Sequence, residues 1–180
     1  YDRSLEHFLH ESLINSFSNV NRSELTEQLN AFPFIHVFGQ IAPLPWQKKQ
    51  GDLPLPLDYG IPATNVNMIN SLRKNIRTIY DEKLDPAFNE QLQKTQDLIS
   101  NAKRVFFLGF GYAKENLELL KIPDCLKTKQ KIYGTALGAT EKEIKQIAEL
   151  LNRRELGKQE AIYLAKIHDW DCRKLLREYL

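Results

Sequence analysis

Residues 104–120 read RVFFLGFGYAKENLELL, an apolar run that enters Gly109-Phe110-Gly111 and passes straight into helical spacing. A short stretch of β-branched and aromatic residues closed by glycine predicts a buried strand over 104–108. The glycines supply a tight turn, and the helix expected near 114–121 is closed by Pro123. Strand, glycine turn and helix in that order is the unit from which parallel sheets are assembled. The reading of this stretch sets what to look for on either side.

Downstream, KIYGTA predicts a second such strand over 131–136. It is followed by Gly138 and by Thr140-x-x-Glu143, a capping box opening a helix through Ile144, Ile147, Ala148 and Leu151. Residues 158–180 read as two short helices broken near Asp169. Upstream, Asp85-Pro86 is a helix start, cap then first-turn proline, and Phe88, Leu92, Leu98 and Ile99 carry that helix to about Ala102. Residues 65–81 are also helical in period.

The run Gln40–Pro62 holds five prolines and no apolar period, which predicts a long loop with Trp46 as its anchor. The stretch FPFIHVFGQ predicts a buried strand over 34–38, closed by Gly39. Residues 23–30 form a short helix, and residues 3–17 an amphipathic one with Leu5, Phe8, Leu9, Leu13 and Phe17 on its apolar face and Asp2 as cap. Three short apolar strands separated by helices predict an α/β chain, a parallel sheet with helices on both faces.

The chain has 180 residues, enough for one packed domain; 42% are hydrophobic and 27% charged, the balance of a globular protein. A net charge of +2, with basic residues scattered among acidic ones, argues against nucleic acid as a partner. No run approaches the ~18 apolar residues of a membrane span. Cys125 and Cys172 make neither a disulfide framework nor a four-cysteine zinc site, so a reducing cytoplasm is the expected setting, with no metal. The sequence lacks a Gly-x-x-x-x-Gly-Lys phosphate loop and a Gly-x-Ser-x-Gly nucleophile turn.

Ligands of open parallel sheets bind beyond the carboxyl ends of the strands. Three parallel strands would gather Gly39 and Gln40, Gly109 to Tyr112, and Thr135 to Gly138 there, with Tyr1 and Asp2 from the first helix start. Plainer roles stand beside these: a structural turn for the glycines, a core position for His36, a helix cap for Asp2, a solvated face for His7 and His10.

Taken together, YDRSLEHFL, PFIHVFGQI and AKRVFFLGFGYAKENLELL resemble the bacterial sirtuin-like domains over about residues 1–140. The resemblance implies a Rossmann-like NAD-binding fold over 1–152 and a helical extension over 153–180. Because the family's glycine-rich first turn does not appear, the chain reads as truncated at its N-terminus. The family's activity implies hydrolysis of NAD to nicotinamide and ADP-ribose, in bacterial anti-phage defence. On this carry-over Asp2 and His36 are the catalytic residues. Tyr1, Gly39, Gly109, Phe110, Gly111 and Tyr112 bind NAD or ADP-ribose.

Phe38 stands where the family has its histidine, and a phenyl ring cannot act as a base. The competing expectation is a catalytically inactive nucleotide sensor. A third is an assembly domain, a homo-oligomer docked through Leu175, Leu176, Tyr179 and Leu180.

Overall fold

The computed structural model describes residues 2–17, 19–48, 55–62, 65–78, 86–127, 130–152 and 165–180. The chain divides into two compact units, Tyr1–Asp85 and Pro86–Leu180.

The second unit contains the sheet. Helix α4 (Pro86–Asn101) leads into β1 (Arg104–Phe107), α5 (Lys114–Leu119), β2 (Lys131–Thr135), α6 (Glu141–Leu151), β3 (Ala165–His168) and α7 (Cys172–Tyr179). All three strands are parallel in the order β1-β2-β3, with Phe107 opposite Gly134 and Gly134 opposite Ile167. One face carries Phe107, Ile132, Ala165 and Ile167, which bury against Leu117 of α5 and Leu151 of α6. The other carries Phe106, Tyr133 and His168, and α7 covers it: Tyr179 stacks on Tyr133 at 4.3 Å and Leu175 is fully buried. Each strand therefore has an apolar reason to sit between helices, as parallel sheets require.

Polar ends are tied down as well. The buried Gln130 side chain donates to the carbonyls of Ile99 at 2.6 Å and Ala102 at 2.7 Å, closing α4 next to the start of β2. The capping box on α6 forms as read, with Thr140 and Glu143 exchanging side-chain and backbone bonds.

The strand β3 corrects the expectation of helix across 158–180. Ala165, Lys166, Ile167 and His168 alternate buried and exposed, a two-residue period that only the neighbouring β2 makes decisive. The C-terminal segment is thus part of the sheet and not a purely helical extension, and 153–164 lie outside the described residues.

The regular elements of the first unit, among the described residues, are the helices α1 (Ser4–Ser16), α2 (Arg22–Ala31) and α3 (Val66–Arg73). Residues 34–38, expected as a strand, are irregular backbone running into a turn in which the Gly39 amide donates to the His36 carbonyl at 2.9 Å. A run of strand-forming residues makes a strand only with a partner to complete its backbone bonds. Here the Phe38 carbonyl is instead taken by the Arg77 amide at 2.9 Å. Gly39 has φ +80, and a Cβ there would lie 1.9 Å from the Asn75 carbonyl oxygen, so the turn requires glycine for local reasons. Helix α3 also ends earlier than its period suggests, at Arg73, while 79–85 lie outside the described residues.

The expected apolar face of α1 is not what the helix buries. Leu5, Phe8 and Phe17 are exposed, and the buried residue is Glu6. Arg3, also buried, donates to the carbonyls of Ala42 at 3.2 Å, Leu57 at 2.7 Å and Asp58 at 3.3 Å, so one guanidinium gathers both described parts of the proline-rich loop. Burial works against the charge of Arg3, and Glu6 works for it. Trp46 stacks on His10 at 4.8 Å, in keeping with its reading as loop anchor.

Candidate functional site

The carboxyl ends of β1, β2 and β3 open into one cavity of about 630 Å³ within the second unit, inside the ~300–1,000 Å³ range of small-molecule sites. Its walls come from three loops and one helix: Gly109 to Tyr112 after β1, Thr135 to Leu137 and Ala139 after β2, Trp170 to Cys172 after β3, and Glu143, Gln146, Ile147 and Leu150 of α6.

Each loop is held by its neighbour. The Gly109 amide donates to Thr135 Oγ1 at 2.9 Å, which binds the turn after β1 to the end of β2. Gly109 has φ +61, a backbone region that disfavours side chains, which accounts for one glycine of Gly109-Phe110-Gly111 without reference to any ligand. The Gly138 amide donates to Asp169 Oδ1 at 2.6 Å and the Ala136 amide to the His168 carbonyl at 2.7 Å, joining the β2 and β3 ends in the same way. The result is a set of loops whose relative positions follow from the sheet.

Tyr112 forms the inner wall. Its ring packs against Phe110 at 5.3 Å and Phe107 at 6.0 Å. Its hydroxyl lies over Gly134, where a Cβ would come within 2.2 Å. Glycine in the middle of β2 is the space this ring occupies. The hydroxyl is buried and finds no hydrogen-bond partner among the described residues, and burial pushes its pKa above the ordinary phenol value. It is a neutral group with a proton to donate.

Trp170 forms part of the wall contributed by the β3 loop, stacked on His168 at 4.0 Å and carrying Lys174 Nζ 4.4 Å from its ring centre. Burial, then the neighbouring Lys166, holds the His168 pKa below its usual value. Glu143 is held below the ordinary carboxyl value by its bonds from Thr140.

Of the residues expected to act on NAD, Gly109, Phe110, Gly111 and Tyr112 line this cavity together. Asp2, His36 and Gly39 belong to the first unit, and Tyr1 lies outside the described residues. Asp2 accepts from the Ser4 amide at 2.9 Å and from the Ser4 hydroxyl, which lower its pKa, but the N-cap of α1 is Arg3 and not Asp2 as expected. His36 Nε2 pairs with the buried Glu6 carboxylate. Gly39 sits in its turn rather than at a strand end.

The sequence did not mark Ala139, or Glu143, Gln146, Ile147 and Leu150 of α6, as lining residues, and it missed Trp170, Asp171 and Cys172 because β3 was not seen. Asp171 carried a signal of its own, an N-cap residue three positions before Lys174, whose amide it accepts at 2.7 Å. Among the described residues no cluster of three histidine, cysteine or acidic side chains is placed to hold a metal ion, and no helix is long and apolar enough to cross a membrane. No family model, curated protein or solved structure matches the chain.

Proposed function

We propose that residues 86–180 are a Rossmann-like nucleotide-binding unit that takes one nucleoside of NAD or ADP-ribose at the carboxyl edge of its sheet and acts as a sensor without turnover. The observation that carries this reading is the cavity itself, with three parallel strands feeding loops that are bonded to one another at the edge where such sheets bind ligands. Aromatic walls from Phe110, Tyr112 and Trp170 suit a planar base. The sensor half of the reading rests on Asp2 and His36, whose Oδ1 and Nε2 are engaged with Ser4 and Glu6.

A second reading, sirtuin-like hydrolysis of NAD, draws on the pairing of His36 with Glu6: a buried carboxylate orienting an imidazole is an arrangement that also serves a general base. One experiment separates the two. NAD and ADP-ribose are titrated into the full chain by calorimetry, and nicotinamide release is followed by chromatography. Saturable binding with no nicotinamide above buffer is the expected result. Release that disappears in His36→Ala would establish the second reading, and absence of binding at millimolar ligand would remove both.

A further inference from the structure

The charge of the cavity is opposite to what a phosphate requires. Its ionisable acidic side chains are Glu143 and Asp171, and neither lysine nor arginine is among the residues that line it. Each carboxylate uses one oxygen at a helix start: Glu143 Oε2 accepts from the Thr140 amide at 2.8 Å and hydroxyl at 2.7 Å, and Asp171 Oδ1 from the Lys174 amide at 2.7 Å. Among the described residues Glu143 Oε1 and Asp171 Oδ2 make no further bond, which leaves acceptors in want of donors. Thr135 Oγ1 is already committed between the Gly109 amide and the Phe107 carbonyl, at 2.9 and 3.4 Å. Lys174 Nζ is engaged with the Trp170 ring.

Resting on the nucleotide reading above, we infer that the cavity selects its ligand by charge, accepting the hydroxyls of an unphosphorylated or cationic nucleoside at Glu143 and Asp171 and working against phosphate. Ribose hydroxyls and ring amines bring the donors that this wall lacks. A phosphate brings more acceptors and a like charge beside two exposed carboxylates, where the repulsion is a solvent-screened one that salt weakens further. The phosphates of a dinucleotide would then stay outside the mouth, and the ring-ribose end alone would enter.

The test is calorimetric titration of the full chain with adenosine, nicotinamide riboside and AMP. Adenosine is expected to bind about tenfold tighter than AMP, and nicotinamide riboside, a cation, at least as tightly as adenosine. Raising the salt concentration should narrow the gap by strengthening AMP. Glu143→Gln with Asp171→Asn should close it, since glutamine keeps a capping box and asparagine keeps an N-cap, so both helix starts survive while the charges go.

AMP binding as tightly as adenosine, or a gap that persists in the double variant, overturns the inference and leaves the nucleotide reading standing. No heat from any of the three overturns both.

Discussion

The described residues of the unit 1–85 and those of the unit 86–180 are held in place by different physics. In the second unit the ordering groups are apolar: Phe107, Leu117, Ile132, Leu151 and Ile167 form one cluster, and Leu175 seats α7 on the opposite face. In the first, the buried hydrophobic residues among those described are Leu29, Ala42 and Leu44, while Arg3 and Glu6 are buried beside them. The guanidinium of Arg3 gathers loop carbonyls, Glu6 meets His36, and Asn30 joins the Trp46 carbonyl to the Lys48 amide at 2.9 and 2.7 Å. Apolar burial is non-directional and tolerates small shifts, whereas a buried charge is stable only while its partners remain in place. The first unit should therefore fail sharply at a few residues.

The largest effect that would sharpen this contrast belongs to the apolar unit. Leu175→Ala empties a fully buried position and should cost about 3–4 kcal/mol, read as faster hydrogen exchange at α7 and β2 amides. Next comes the polar unit. His36→Ala leaves Glu6 buried without its imidazole and should cost about 2–3 kcal/mol, below the usual loss for a severed buried pair because Arg3 also attracts that carboxylate. Exchange at α1 amides reports it. Replacing both partners, Glu6→Leu with His36→Leu, should recover most of the loss, and failure to do so would break the argument that the pair is a structural charge.

A smaller effect probes the space under Tyr112. Gly134→Ala puts a methyl group against the Tyr112 hydroxyl and within 2.8 Å of Ile167 Cδ1, for about 1–2 kcal/mol. Adding Tyr112→Phe should return part of that by removing an unpaired buried hydroxyl, with chemical denaturation of both variants as the measure. An unchanged G134A protein would mean that the ring is not held where it lies.

The smallest effect is acid sensitivity at α6. The folded Glu143 has its pKa lowered by Thr140, so its contribution is present above the ordinary carboxyl value of 4.5 and is lost as pH falls through the lower folded value. Thr140→Val should flatten that loss in a pH series of exchange rates at the α6 start. A profile identical to the parent would remove Glu143 from the account.

Much of the second unit was legible because its signals are local. Pro86 stands at the start of α4, the capping box at Thr140 opened α6, and β1 and β2 each ended in a glycine-bearing stretch that forms a cavity wall. Trp170 and Asp171 were not legible as site residues. They became wall residues only through β3, and four alternating residues do not distinguish a strand from a helical turn until a partner strand is present.

The amino-acid sequence by itself determined the α/β class, the turn at Gly109-Phe110-Gly111 and the capped helices, since these depend on backbone preferences and on side chains three or four residues apart. Tertiary structure alone decided that 34–38 is not a strand, that 165–168 is one, and that Arg3 and Glu6 are buried while Leu5 and Phe8 face outward. Those outcomes turn on hydrogen-bond partners far away in the chain: the Arg77 amide for Phe38, β2 for β3, and the loop carbonyls and His36 for the two charges. A residue's own neighbourhood carries no record of such partners, and backbone bonds or a buried charge are satisfied only where the fold brings them together.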